Sequence, residues 1–315
     1  MLLFNVKSSK KIGFGHLSRS LKLASLYKKK DVSFLINNDA HSIKILKTNN
    51  YKNIYISKKS YPQLEKILLK NKIKVFINDT LKSSANLFRF LLKKNIRIIN
   101  FDDYSEASTI ANINIYPTIF NKKKNKTNFY FGPEYIALGK AKIKKRLRKK
   151  IKSILIIMGG SDTYNLSEKL IKKILPLKKN ISLIEGPLKI IKINKKYKKK
   201  INIISKPKNI FEEFHKYDLL ICGGGIIPFE AAAAGLPSLI ISCEQHEKKV
   251  GKILHKLGCS VYLGHRNKIN KIFINTLDLD IKKMSANCLN KIHLNGDEKI
   301  KKIILKQIFF INKNA

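Results

Sequence analysis

The stretch DLLICGGGIIPFEAAAAGLPSLIIS, residues 218–242, decides how the chain is read. Its first apolar run is short and bounded, as a buried strand is. Gly223, Gly224 and Gly225 leave that strand. Pro228 suits the first turn of a helix, where a missing N–H costs nothing. Four alanines then let the helix lie close to a sheet, and Gly235 stops it before Pro237. PSLIIS reads as the next strand. Strand, glycine loop, helix and strand in this order make a crossover between parallel strands.

The unit recurs on either side. SILIIMGG leads into the helix NLSEKLIKKIL, followed by the strands ISLIEG and INIISK and the helix IFEEFHKY. At the other end MLLFNV, a glycine loop and a helix over 16–28 open the chain. DVSFLIN, the helix YPQLEKILLKN, KVFIND, the helix SANLFRFLLKKN and IRIINFDD continue the alternation. The basic segment 121–150 breaks the rhythm and places a linker near 140–151. The expectation is an α/β protein of two Rossmann-like domains, residues 1–145 and 146–315, with parallel sheets facing across a cleft. The tail from about 268 reads as helical, and its last helix is free to pack back on the first domain.

Of 315 residues, 65 are Lys or Arg and 21 are Asp or Glu, a formal charge of +44. Six of the basic residues are Arg, the better side chain for bidentate phosphate and base recognition. The lysines spread through YKKKD, KKKNK, KKRLRKK and KINKKYKKK rather than one tract. They read as generic solvated positions, so no specific nucleic-acid partner is expected. The charge still draws anionic substrates and membrane surfaces, weakly at physiological salt. Cys222, Cys243, Cys259 and Cys288 form no CxxC pair and read as buried thiols of a reducing compartment. MLLFNVKSSKK has too short an apolar run for a signal peptide, and no stretch approaches the roughly 18 apolar residues of a membrane span. A cytoplasmic monomer without integral membrane association is expected, and no aromatic or apolar membrane-binding segment stands out.

In parallel sheets ligands bind at the C-terminal ends of strands, beside helix N-termini. Gly13-Phe14-Gly15, Gly159-Gly160 and Gly223-Gly224-Gly225 hold that position. None is a Walker A loop, and GFGHLS has Ser18 where a dinucleotide fingerprint needs its third glycine. Two such loops in the second half favour a phosphate-bearing ligand. Glu230, in the first turn after Pro228, is placed to accept from both ribose hydroxyls, or else is a surface residue favoured by the helix dipole. Glu244, Gln245 and His246 at a strand end either reach a sugar or form an ordinary polar loop. Asp162 bonds within its turn or touches ligand, and Asn165 is the expected cap of the helix from Leu166. His16 is either a general base at the mouth of the first loop or a structural residue at a helix start. Asp102 and Asp103, at another strand end, orient its imidazole, bind sugar, or form a turn.

IGFGHLSRSLKLA, INFDD, FGPEYIAL, IIMGGSDTYNLS, DLLICGGGIIPFEAAAAGLPSLII and EQHE occur in the order found in the PseG/SpsG family, the UDP-2,4-diacetamido-2,4,6-trideoxy-β-L-altropyranose hydrolases of pseudaminic acid biosynthesis. The chain resembles that family from residue 12 to about 264, and LNGDEKIKKII looks like its C-terminal helix. The resemblance implies the GT-B fold of MurG-like glycosyltransferases and metal-independent, inverting hydrolysis of the anomeric C–O bond, releasing UDP and a free amino sugar. No cofactor is implied. His16 would activate the water, Gly223 to Gly225 would cradle the diphosphate, and Glu230 would hold the ribose. Gly159, Gly160, Ser161 and Asp162 would line the site. Gly13, Gly15, Arg19, Asp79, Asp102, Asp103, Glu244 and Gln245 complete the expected substrate-binding set.

The chain departs from the family pattern in its first half. Asn5-Val6-Lys7-Ser8-Ser9 stands where R-x-D-x-S is usual, Asp79-Thr80-Leu81 where Asp-His-Tyr is usual, and Gly139-Lys140 where an Arg is usual. UDP-sugar binding is therefore a firmer expectation than the sugar or the reaction. A GT-B glycosyltransferase using a UDP-sugar donor is the alternative.

Overall fold

The computed structural model describes all residues except 10–12, 58–59, 119–127, 138–142, 161, 187–192, 206, 208–209, 246, 272–277, 294 and 314–315, and only the backbone of 312–313. The chain divides into two compact units, Met1–Lys140 with Asn295–Ala315, and Ala141–Leu294. The division thus falls at 140/141 rather than 145/146, and the last helix belongs to the first unit.

The first unit runs β1 (Leu2–Val6), α1 (Gly15–Ala24), β2 (Val32–Ile36), α2 (Ala40–Thr48), β3 (Ile54–Ile56), α3 (Tyr61–Lys70), β4 (Val75–Asp79), α4 (Ala85–Lys93), β5 (Arg97–Phe101), β6 (Ile113–Tyr116) and β7 (Phe129–Phe131). The second runs β8 (Ser153–Ile157), α5 (Leu166–Ile174), β9 (Asn180–Glu185), α6 (Lys195–Lys198), β10 (Asn202–Ser205), α7 (Phe211–Phe214), β11 (Leu219–Cys222), α8 (Ile227–Ala233), β12 (Ser238–Ser242), α9 (Glu247–Lys256), β13 (Ser260–His265) and α10 (Ile281–Lys291). Helix α11 (Gly296–Lys313) returns to the first unit.

Each unit is a doubly wound sheet. The strand orders are β3-β2-β1-β4-β5-β6-β7 and β10-β9-β8-β11-β12-β13, and the named pairs are parallel. Strand order reverses between β1 and β4, and again between β8 and β11. Those reversals open the crevices where ligands bind in such sheets. Residues buried on both faces explain the unbroken apolar runs. In the first unit Leu3, Phe76 and Ile98 pack on Leu64, Leu68, Phe88 and Leu91 of α3 and α4. Each such side chain stabilises by about 1.5–3 kcal/mol when buried.

One feature of the first sheet is polar. Asn5, Asn78, Asn100 and Asn114 stand in register on β1, β4, β5 and β6. All four are buried. Asn5 Nδ2 donates to Asn78 Oδ1 at 2.8 Å, Asn78 Nδ2 to Asn100 Oδ1 at 2.7 Å and Asn100 Nδ2 to Asn114 Oδ1 at 3.1 Å. Asn114 Nδ2 ends the ladder on the Ser108 carbonyl at 2.8 Å. A buried amide network satisfied at each step ties four strands in one register.

Several elements differ from the sequence reading. Helix α1 stops at Ala24 rather than 28, and the Ser25 hydroxyl donates to the Lys22 carbonyl at 2.7 Å. IFEEFHKY yields a single turn, α7, anchored by buried Phe211 and Phe214. Strand β7 lies inside the basic tract read as a break. It pairs with β6, and the Phe131 ring stacks 5.4 Å from Tyr116. Helix α2 and strand β3 were not foreseen. Asp39 caps α2 by accepting from Ser42 N–H at 2.8 Å.

Candidate functional site

Helix α1 begins two residues after Gly13, whose φ of +91° is the left-handed region that glycine tolerates. The Gly13 N–H donates to the Ser9 carbonyl at 2.8 Å. Among the described residues no side chain caps α1, and its first turn holds no acid. A Cβ built on Gly15 would meet nothing within 4 Å, so packing does not explain that glycine. Its absence leaves open space at a helix N-terminus, as an approaching ligand requires.

His16 and Arg19, one helical turn apart, face the C-terminal ends of β4 and β5. His16 Nδ1 lies 2.6 Å from Asp79 Oδ1. Arg19 donates through Nη2 to Asp79 Oδ1 at 2.5 Å and through Nε to Asp79 Oδ2 at 2.8 Å. Its Nη1 donates to Asp102 Oδ2 at 2.5 Å. Ser20 Oγ adds a 3.3 Å bond to Asp79 Oδ2. Arg19 is 3% exposed and Asp79 1%, so the cluster is a buried charge network with His16 at its wet edge. The guanidinium also sits 5.1 Å over the Phe101 ring.

Burial alone would raise the pKa of Asp79. The charge and hydrogen bonds of Arg19, then those of His16, outweigh it and bring the carboxyl down to about 2 from 3.8. Burial opposes the Arg19 charge, but Asp79 and Asp102 together hold the guanidinium firmly protonated. Asp79 is therefore an acceptor only. The proton in the His16–Asp79 bond belongs to Nδ1, and a neutral His16 keeps its lone pair on Nε2. That is the tautomer a general base needs.

Asp102 has φ +50°. Its second oxygen, Asp102 Oδ1, and Asp103 Oδ2 are buried without hydrogen-bond partners among the described residues. Asp103 Oδ1 accepts from Ser105 N–H at 2.8 Å and from Ser105 Oγ at 2.6 Å, a local turn. Of the departing residues, Asn5 serves the amide ladder and Lys7 is exposed. Leu81 is 37% exposed, and its carbonyl accepts from the Tyr104 N–H at 3.2 Å. Gly139 and Lys140 lie outside the described residues.

In the second unit the Gly159-Gly160 loop leaves β8 and the triple-glycine loop leaves β11, the two strands at the order reversal. Gly159 is exposed with φ +77°. Asp162, not Asn165, caps α5: its oxygens accept from Leu166 N–H at 2.8 Å and Ser167 N–H at 3.0 Å. Asn165 instead takes the left-handed conformation, φ 52°. Ser161 and His246 lie outside the described residues. Glu230 sits in the first turn of α8 and is 3% exposed, which excludes the surface reading. Glu244 is exposed and accepts from the Tyr164 hydroxyl at 2.5 Å, and Gln245 is exposed beside it.

Glu247 was not foreseen. Its Oε2 accepts from Cys243 N–H at 2.6 Å and from Glu244 N–H and Gly224 N–H at 3.3 Å. A Cβ on Gly224 would lie 2.7 Å from Glu247 Cβ. Gly224 is thus glycine because α9 packs on it, and its amide is shared with the chain's own carboxylate. The expectation that three glycines offer their amides alike is revised at that residue. Glu247 is the first residue of α9, where an acid suits the helix dipole, and the sequence carries no stronger signal for its role. No group of three His, Cys, Asp or Glu able to hold a metal occurs among the described residues.

No family model matches the chain. It is 27% identical over 297 residues to the uncharacterized protein MJ1062 of Methanocaldococcus jannaschii, covering 85% of this chain and 59% of that protein. It therefore spans less than two thirds of that relative's length. It is 26% identical over 275 residues to the spore coat polysaccharide biosynthesis protein SpsG of Bacillus subtilis, covering 80% of each. Among solved structures, Acinetobacter baumannii MurG superposes with TM-score 0.65 at 13% identity, covering 97% of this chain and 99% of that one. The spinosyn rhamnosyltransferase SpnG with thymidine diphosphate gives 0.66 at 10%, covering 96% and 100%. Anabaena HepE in complex with UDP gives 0.57 at 12%, covering 97% and 99%. The two parallel-sheet Rossmann-like units thus match the fold of GT-B glycosyltransferases.

Proposed function

We propose that the protein acts on a UDP-linked amino sugar and hydrolyses its anomeric C–O bond with inversion. The observation that carries this reading is the His16–Asp79 pair, backed by Arg19 and Asp102, at the strand-order reversal of a fold shared with a protein solved in complex with UDP. Neutral His16 accepts a proton from water at Nε2 while the water oxygen bonds to the anomeric carbon. The bond from that carbon to the β-phosphate oxygen breaks, and UDP leaves with the electron pair. Asp79 holds the imidazole in its tautomer and stabilises the imidazolium. A base aligned in this way supplies about 10²–10⁴-fold in rate.

UDP is a good leaving group, so the remaining task is to hold its charge. In this reading the amides around Gly159-Gly160 and those of Gly223 and Gly225 face the diphosphate, and Glu230 accepts from the ribose hydroxyls. Similarity to SpsG, a polysaccharide biosynthesis protein, supports a sugar substrate.

A second reading is a glycosyltransferase in which His16 deprotonates an acceptor hydroxyl. Its support is that MurG and SpnG match the fold along nearly the whole chain. Incubation with UDP-2,4-diacetamido-2,4,6-trideoxy-β-L-altropyranose, followed by phosphorus and proton NMR without acceptor, separates the two. UDP and free sugar of inverted configuration are expected. A stable donor that is consumed only when an acceptor is added would overturn the hydrolase reading.

A further inference from the structure

The solvent face of α11 is not that of an ordinary surface helix. Ile300, Ile303, Ile304 and Ile311 are buried and account for its packing. Yet Leu305 is 48% exposed, Phe309 66% and Phe310 52%. They alternate with exposed Lys301, Lys302 and Lys306, and residues 299–312 contain no acid. Scattered exposed apolar residues need no explanation, but a contiguous patch does.

Through Phe310 the helix meets neighbouring elements of the same unit. Phe310 lines a groove of about 550 Å³ with Leu68, Leu69, Ile73 and Ile96. Leu69 is 72% exposed. Lys72, Lys74, Lys94 and Arg97 rim the groove, and Glu65, paired with Lys94, is the one acid among its described lining residues. The Arg97 guanidinium lies 4.5 Å over the Phe310 ring and donates from Nε to Gln307 Oε1 at 2.9 Å, which holds the ring beside the groove. Leu69 from the end of α3 and Phe310 from α11 thus stand exposed at a groove floored by buried Leu68, Ile73 and Ile96 and lined by cations. Neither helix by itself reads as a membrane-binding segment.

We infer that this face docks on an anionic lipid surface. Aromatic and aliphatic side chains interleaved with lysines on one helix suit the boundary between headgroups and acyl chains. The rings enter while the lysine stems lie along the apolar surface and their ammonium groups reach the phosphates. A protein partner would favour an interface core depleted of lysine. Cations beside an anionic membrane add attraction that falls off within a Debye length. No described helix is long and apolar enough to cross a membrane, so the association is peripheral. The inference does not depend on the reaction assigned above.

The chain has no tryptophan, so Phe309→Trp introduces a single reporter on the face. With vesicles of phosphatidylcholine containing one-third phosphatidylglycerol, its emission is expected to shift to the blue and to be quenched by brominated acyl chains. A Tyr197→Trp control in the second unit is expected to do neither. The Phe309→Ser/Phe310→Ser variant keeps every charge and is expected to bind these vesicles at least about tenfold more weakly, an effect of apolar area rather than charge. Absence of the blue shift and quenching at Phe309→Trp overturns the inference. So does unchanged binding of the double serine variant, because the overall charge would then suffice. Should the double variant unfold, the brominated-lipid result decides alone.

Discussion

Replacing Asp79 by Asn probes the cluster at its centre. The carboxylate accepts from His16, twice from Arg19, and from Ser20. Asn offers one oxygen and one NH2 group. Whichever way the amide turns, its NH2 faces a donor of Arg19, and in one orientation it faces His16 as well. Arg19 keeps Asp102 but loses half of its compensation in a site 3% exposed. Removing one partner of a buried ion pair costs about 3–5 kcal/mol, and the unfolding free energy from urea titration should fall by that amount. If the amide NH2 turns to His16, the imidazole proton moves to Nε2 and the base is lost, so kcat should drop about 10³–10⁴-fold. UDP affinity, measured by titration calorimetry, should stay within about twofold. The wild type provides a second readout. With the Asp79 carboxyl at about 2 in the folded chain and 3.8 ordinarily, its contribution is complete above pH 4 and is lost as the pH falls through 2. It amounts to about 2 kcal/mol, and Asp79→Asn should lack that acid-dependent part. A variant as stable as wild type, or one whose UDP affinity falls as far as its kcat, would refute the reasoning.

The other expected outcomes address single residues. His16→Ala should abolish turnover and leave UDP binding intact, and an active His16→Ala protein in the UDP-release assay removes the base. Glu230→Ala should weaken UDP binding by about 1–3 kcal/mol in calorimetry, as for a lost charge-assisted hydrogen bond; unchanged affinity assigns Glu230 a packing role. Asn78→Leu strands Asn5 Nδ2 and Asn100 Oδ1 and should lower stability by about 2–4 kcal/mol in urea titration. Gly224→Ala drives a methyl into Glu247 and should destabilise by about 1–3 kcal/mol; a neutral effect would mean that α9 yields easily.

The parallel sheets were legible because strands buried on both faces must be apolar throughout, and the runs 153–158 and 218–222 each lead into glycine. The glycine loops and His16 were legible for the same reason, since a polar or flexible residue at a strand end has few purposes. What escaped was built from residues far apart. The amide ladder draws one Asn from each of four strands, and an isolated Asn in a strand carries no periodic signal. Strand β7 hid in a lysine tract because three residues, Phe129 to Phe131, are too few to show alternation. Glu247 escaped because its partners, the amides of Cys243, Glu244 and Gly224, include one from a loop 23 residues away. Asn165 had the expected residue type for a cap, but Asp162 reaches both amides and takes the role.

The most direct test of the central claim is turnover of the UDP-sugar in water enriched in oxygen-18, followed by mass spectrometry of both products. Attack of a His16-activated water on the anomeric carbon puts the label in the free sugar and none in UDP. Label in the β-phosphate of UDP would mean cleavage of the P–O bond. No labelled product without an added acceptor would mean transfer rather than hydrolysis. Either result contradicts the mechanism proposed for the His16–Asp79 pair.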